Sequence, residues 1–193
     1  MDIRYNVINW VNRETRGWSY GQAIADPRTG EIIKGSVLLG SLRVRQDLLI
    51  LDALQVGDEA ARSAALARIR QLAAHEVGHA LGLIHNFAGS SQQRSSVMDY
   101  PAPRIELIDG AISVQDAYGV GLGAWDRFAI EWLYGKEYDD PSAANARLVA
   151  SQDDGIAFIA DEDARPLGGA NAAGSLWDDG GDPVDELRRI LVV

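Results

Sequence analysis

The chain has 193 residues, no cysteine and a formal net charge of -10. That length can bury a core in one domain, or one and a half, and the lack of cysteine excludes disulfides and thiolate metal sites. The acidic balance argues against nucleic-acid binding through a basic surface, and the apolar runs fall short of the ~18 residues that span a membrane.

In chain order, residues 3–11 are rich in β-branched and aromatic types and read as a strand. Tyr20–Ala25 and Glu31–Leu39 read as two more strands, separated by the turn chemistry of Asp26-Pro27-Arg28-Thr29-Gly30. The pattern turns helical from Asp47 to Leu83 and breaks at Gly57-Asp58-Glu59, whose carboxylates suit the start of a second helix. Leu66, Ile69, Ala73, Val77, Ala80 and Leu81 fall on one side of that helix and are its expected apolar face. Residues 86–124 read as irregular. A helix follows over Ala124–Tyr134, with Trp125, Phe128, Ala129, Trp132 and Leu133 on one stripe and Gly135 at its C-cap. Beyond it the sequence predicts loops rich in Asp and Gly, then a helix over Val184–Leu191.

Charge divides unevenly. Residues 1–50 hold 7 Lys/Arg and 5 Asp/Glu, whereas residues 137–193 hold 4 Lys/Arg and 13 Asp/Glu. The expected organisation is therefore a core over residues 1–136 and an acidic C-terminal extension over 137–193, packed on or beside it. The chain opens almost directly in a strand, which reads as a segment beginning partway through a larger protein.

All three histidines lie in His75-Glu76-Val77-Gly78-His79-Ala80-Leu81-Gly82-Leu83-Ile84-His85. On a helix His75 and His79 differ by about 40° in direction, so their imidazoles converge. Two imidazoles plus one further ligand make an open zinc site with a position left for water, and Glu76 can reach that water. Gly82 can take the left-handed conformation that ends a helix. The turn would carry His85 back as the third ligand; in an unbroken helix it would point about 120° from His79. The plainer alternative is a helix with three internally satisfied histidines, and the joint placement of Glu76 and Gly82 speaks against it.

Ser96-Val97-Met98-Asp99-Tyr100 follows 13 residues after His85 counting to Met98. With the eleven-residue motif, this segment resembles the Met-turn of the metzincin clan of zinc metallopeptidases. Asn86 does not match the residue that follows the third histidine in the better-known branches. Asn86-Phe87-Ala88-Gly89-Ser90 is more similar to a poorly characterised bacterial family of zinc-dependent metalloproteases. The resemblance implies an α+β zincin fold, with a twisted, mostly parallel sheet, an antiparallel edge strand, a zinc-binding helix and a Met-turn. Tyr20–Ala25 is the candidate edge strand, to which a peptide could add by backbone hydrogen bonds. Pro101-Ala102-Pro103-Arg104 would line the pocket beyond the cut, and the helix ending at Tyr134 resembles the closing helix. A complete metzincin sheet has a further strand and helix ahead of the strand placed at Ile3; these elements are expected to be missing here.

The function implied is a zinc-dependent endopeptidase. One zinc ion would sit on His75, His79 and His85, with Glu76 as general base and Tyr100 as an extra ligand or a donor to the oxyanion. The implied partners are a peptide or protein substrate and the remaining domains of a longer parent. No nucleic acid and no membrane span are expected, and the implied location is secreted, periplasmic or cell-envelope in a bacterium. Two other classes are weighed against this: an impaired zinc-binding interaction module, and a zinc hydrolase acting on a non-peptide amide. The retained Glu76 disfavours the first. Trp177-Asp178-Asp179-Gly180-Gly181-Asp182 could bind calcium, but it is no EF-hand loop and reads better as a solvated acidic turn. Gly119-Val120-Gly121-Leu122-Gly123 reads as a flexible lead-in to a helix, not as a phosphate loop.

Overall fold

The computed structural model describes residues 2–15 and 17–193. The chain forms two compact units. One comprises Met1–Ile84, Ala102–Gly121 and Val184–Val193, and the other His85–Pro101 and Leu122–Pro183.

In the first unit the apolar run Ile32–Gly40 forms the central strand β3 of a three-stranded sheet. Strand β1 (Val7–Val11) pairs with it in parallel, from Val7 opposite Ser36 to Val11 opposite Gly40. Strand β2 (Tyr20–Ala25) pairs on the other side in antiparallel register, with Tyr20 opposite Leu38. Two helices follow, α1 (Ser41–Ala53) and α2 (Asp58–Ala80). Leu51 of α1 meets Ala61 and Ala64 of α2 in one buried cluster with Val114, Ala117 and Tyr118. A short hairpin, β4 (Glu106–Ile108) and β5 (Ala111–Ser113), leads into that cluster. Its turn is Asp109-Gly110, with φ of 52° and 79°. Two successive positive φ angles match the twist of the flanking strands, so this Asp-Gly pair was a hairpin signal inside a stretch expected to be irregular. Helix α6 (Pro183–Leu191) ends the chain, and its Arg189 donates to the Ile105 carbonyl.

The buried side of α2 is not the apolar stripe expected from periodicity. Leu66 is 54% exposed. The buried residues are Ala61, Ala64, Ala65, Arg68, Gln71, His75, Glu76 and Gly78. Small alanines let α2 lie close to its neighbours, and the polar residues turn inward because they pair there: Arg68 donates to Gln71 and stacks over the Tyr118 ring at 5.4 Å.

In the second unit, helix α3 (Ala124–Tyr134) buries Trp125, Phe128 and Ala129 of its expected stripe, whereas Trp132 is half-buried and Leu133 is exposed near the helix end. Asp126, in its first turn, is 1% exposed and accepts from Gly123 N at 2.7 Å, Val97 N at 2.9 Å and Ser96 Oγ at 2.8 Å. One carboxylate thus caps α3 and fixes the segment around Met98. A Cβ on Gly123 would lie 1.8 Å from the Ser95 carbonyl oxygen. Glycine is needed there for close approach, so that residue of the glycine-rich lead-in is a packing position. Helix α4 (Pro141–Asp153) occupies part of the stretch expected to be loop. Its start was legible: Pro141 opens it, and the Asp140 side chain accepts from Ser142 N at 3.0 Å. Its mostly exposed faces gave no apolar period. A four-residue helix, α5 (Asp161–Ala164), follows.

Candidate metal centre

His75 and His79 sit one turn apart near the end of α2, so the helix alone sets their relation. Their rings are edge-on with centroids 4.7 Å apart, and the two Nε2 atoms are 3.1 Å apart. Two imidazole donors on a tetrahedral zinc, with bonds of ~2.05 Å, would be separated by about 3.3 Å. The helix stops where Gly82 takes φ 90°. Gly82 N donates to His79 O at 3.0 Å and Leu83 N to Gly78 O at 2.9 Å, the pair of bonds that closes a Schellman turn. That turn brings the Leu83 carbonyl to His79 Nδ1 at 2.8 Å. A carbonyl can only accept, so Nδ1 carries the proton and Nε2 keeps its lone pair.

Glu76 is 5% exposed. Burial pushes its carboxyl up to about 7, partly offset by a hydrogen bond from the Gly21 backbone and by the nearby Arg68 charge. A Cβ on Gly21 would lie 1.8 Å from the Glu76 carbonyl oxygen. Only glycine lets the edge strand β2 run this close to the helix. The expected edge strand therefore lies directly beside the expected base.

His85 is on no helix. It belongs to a segment whose bonds run to distant parts of the chain. Asn86 is fully buried and makes five bonds: its N–H donates to Met98 O at 3.1 Å, its Nδ2 to Ala157 O at 3.0 Å, its Oδ1 accepts from Ala88 N at 3.1 Å and Ile159 N at 3.0 Å, and its carbonyl accepts from Gly89 N at 3.3 Å. Phe87 N donates to Ile159 O at 2.9 Å. Two residues before Phe87 and two after Ile159, His85 Nδ1 lies 2.6 Å from an Asp161 carboxylate oxygen. Burial raises the Asp161 carboxyl, but the bond from His85 and the Arg165 guanidinium outweigh it and hold the group below its ordinary value. The Tyr100 ring lies 4.7 Å from the His85 ring and stacks on Trp177 at 5.3 Å. Met98 is fully buried. Asp99 accepts from Ser90 N and Tyr100 N at 2.6 Å each, and burial pushes its carboxyl up to about 6 despite those bonds.

One ring nitrogen from each of His75, His79 and His85 lies within 4.8 Å of the other two. Among the described residues this is the group of three such side chains able to hold a metal ion. Neutral imidazoles are zinc donors, and two of these rings have Nδ1 committed to an oxygen, which leaves Nε2 for a metal. The donor set therefore fits zinc. In the acidic turn near Trp177, Asp179 pairs with Arg94 at 3.0 Å. Sequence reasoning missed the roles of Gly21, Leu83 and Asp161. It noted Asn86 only as a departure from better-known patterns. The Leu83 contact followed from the Gly82 turn; the other three depend on segments far apart in the chain.

No curated protein and no solved structure matches the chain. The profile of one family, described as Met-zincin, matches residues 57–193, which takes in α2, all three histidines, Met98 and the acidic extension. A match over that share of the sequence, with the histidine cluster inside it, places the chain in the Met-zincin family.

Proposed function

We propose that the chain is a zinc-dependent metalloendopeptidase. The carrying observation is the convergence of the three imidazoles beside a buried Glu76 that touches an edge strand. His75, His79 and His85 would hold one zinc ion. Bound there, the ion lowers the pKa of its water toward ~7 and polarises a carbonyl. Strand β2 aligns the peptide by backbone hydrogen bonds. Glu76, adjacent to His75, takes the proton of the attacking water and delivers it to the leaving amine. A carboxyl with a raised pKa is suited to both halves of that transfer. Tyr100, next to His85, donates to the developing oxyanion.

The same reading assigns residues 1–136 to the catalytic core and 137–193 to its extension, and takes the three strands as a twisted zincin sheet. The β1–β3 pair is its parallel part and β2 its antiparallel edge. The substrate is a peptide or protein, and the setting is secreted, periplasmic or cell-envelope. No helix among the described residues is long and apolar enough to cross a membrane.

The test is zinc content and digestion of a peptide library by the wild-type chain, Glu76→Gln and His79→Ala. One zinc per wild-type chain is expected. Glu76→Gln keeps the metal and loses at least ~100-fold in hydrolysis, the scale of a lost general base. His79→Ala loses both. A zinc-loaded wild type that cuts amides but no peptide moves the substrate class, and a chain that takes up no zinc sinks the assignment.

A further inference from the structure

We infer that Asp161, in the acidic C-terminal region, is the positioning residue for His85: its carboxylate fixes which ring nitrogen of His85 faces the metal. The inference deepens the metallopeptidase reading and rests on its ligand set.

His75 and His79 inherit their orientation from α2, but His85 follows the Gly82 turn and has no helix to hold it. Its ring needs an anchor that lies elsewhere in the sequence. The backbone supplies the register. Phe87 is bonded to Ile159 through its own N–H, and Asn86 Oδ1 takes the Ile159 N–H, so the segments 85–88 and 157–161 lie side by side in opposite directions. Two steps from that contact, in the same register, Asp161 comes opposite His85, with 2.6 Å between carboxylate oxygen and Nδ1.

Asp161 is itself held. Its other carboxylate oxygen takes Arg165 Nη2 at 2.5 Å, one turn further on. The Arg165 guanidinium lies 5.8 Å over the Phe87 ring, closing a circuit back to the residue beside His85 and Asn86. With one oxygen occupied by Arg165, the second is aimed at the imidazole. Of the acidic trio Asp161, Glu162 and Asp163, register selects only the first; the other two are exposed.

An ionised carboxylate can only accept, so Nδ1 of His85 carries the proton and Nε2 keeps the lone pair. A carboxylate behind a metal-binding imidazole fixes its tautomer and raises its basicity, and losing it costs metal affinity about 10- to 100-fold. His79 gets the weaker version of the same support from the Leu83 carbonyl.

The experiment measures zinc affinity by competition with a chromogenic chelator for wild type, Asp161→Ala and Asp161→Asn. The ring-nitrogen NMR shifts of His85 are recorded in the metal-free proteins, with far-UV circular dichroism and Tm as controls. Asp161→Ala should bind zinc ~10- to 100-fold more weakly, and its His85 should lose the fixed Nδ1-protonated form. Asp161→Asn keeps an acceptor oxygen without the charge, so it should fall between the two. Wild-type affinity in Asp161→Ala overturns the inference. So does lost affinity with an unchanged His85 tautomer and a collapsed Tm, which marks a structural role. Weakened zinc binding without any peptide cleavage leaves this inference standing and removes the peptidase reading. A wild type that binds no zinc overturns both.

Discussion

The two halves of the histidine motif are held by different physics. His75 and His79 are placed by four residues of helix, and the turn after them supplies even the Leu83 oxygen on His79 Nδ1. His85, six residues later, is placed by bonds outside any helix: Asn86 bonded through its backbone to Met98 and through its side chain to Ala88, Ala157 and Ile159, and Asp161 bonded to the ring. A helix converts sequence spacing into geometry directly. A loop does so only when distant parts of the chain agree, so the second half depends on long-range contacts that the first does not need.

That difference can be broken most severely at Asn86. It is fully buried, and truncation strands two N–H groups and a carbonyl that it alone satisfies through its side chain. Each lost partner in the interior costs about 1–3 kcal/mol. Asn86→Ala should therefore lower stability by ~3 kcal/mol or more in chemical denaturation. Leu66→Ala, on the exposed side of α2, should change it by less than ~0.5 kcal/mol. Reversed magnitudes would restore the apolar stripe as the buried face of α2 and demote the Asn86 hub.

What the sequence made legible follows the same division. Both strands of the β2–β3 pair, the break at Gly57, the histidine-bearing helix, the turn at Gly82 and the helix at Ala124–Tyr134 could all be read from local patterns. The buried face of α2 could not, because Arg68, Gln71, His75 and Glu76 look like a solvent side until their partners are known. Asp161 could not, because nothing in Asp161-Glu162-Asp163 distinguishes one acid from the next. The register with residues 85–88 makes the choice, and register belongs to the fold. Gly21 and Gly123 are a third kind. Each meets a carbonyl where no Cβ fits, and a glycine in sequence gives no sign of which carbonyl that will be.

Each half also carries a buried carboxyl with a raised pKa, about 7 for Glu76 beside His75 and about 6 for Asp99 beside Met98. Both are raised chiefly by burial, so the folded metal-free chain holds these protons more tightly than the unfolded chain does. The stability this contributes is complete below the unfolded values near 4 and is lost as pH rises through the folded ones. Metal-free protein should accordingly become less stable between pH 5 and pH 7.5, with up to roughly 3 kcal/mol at stake for Glu76. In Glu76→Gln the loss should end near pH 6, leaving the share that belongs to Asp99. A metal-free stability that rises across this interval would show that neither carboxyl is protonated in the fold.

A smaller effect than those at Asn86 and Glu76 lies at the joint between the halves. Gly82 has φ 90°, and a Cβ there would meet only Ile32 Cδ1, at an ordinary 3.5 Å. Gly82→Ala therefore introduces no clash, and its cost is the backbone term alone, about 1–2 kcal/mol for an L-residue held left-handed. In the helical half His75 and His79 keep their relation because α2 ends before the turn, and only the Leu83 carbonyl on His79 Nδ1 is exposed to the change. His85 is the residue whose approach depends on that turn, and Asp161 and Asn86 hold it from the other side. With those anchors intact, Gly82→Ala should lower stability by the stated amount and weaken zinc binding less than ~10-fold. With Asp161→Ala added, the two losses of zinc affinity should exceed their separate values by more than ~0.5 kcal/mol, the coupling expected of residues that restrain one ring. Strict additivity in that double-mutant cycle would mean that the turn and the carboxylate act independently, and the shared restraint of one ring would be overturned.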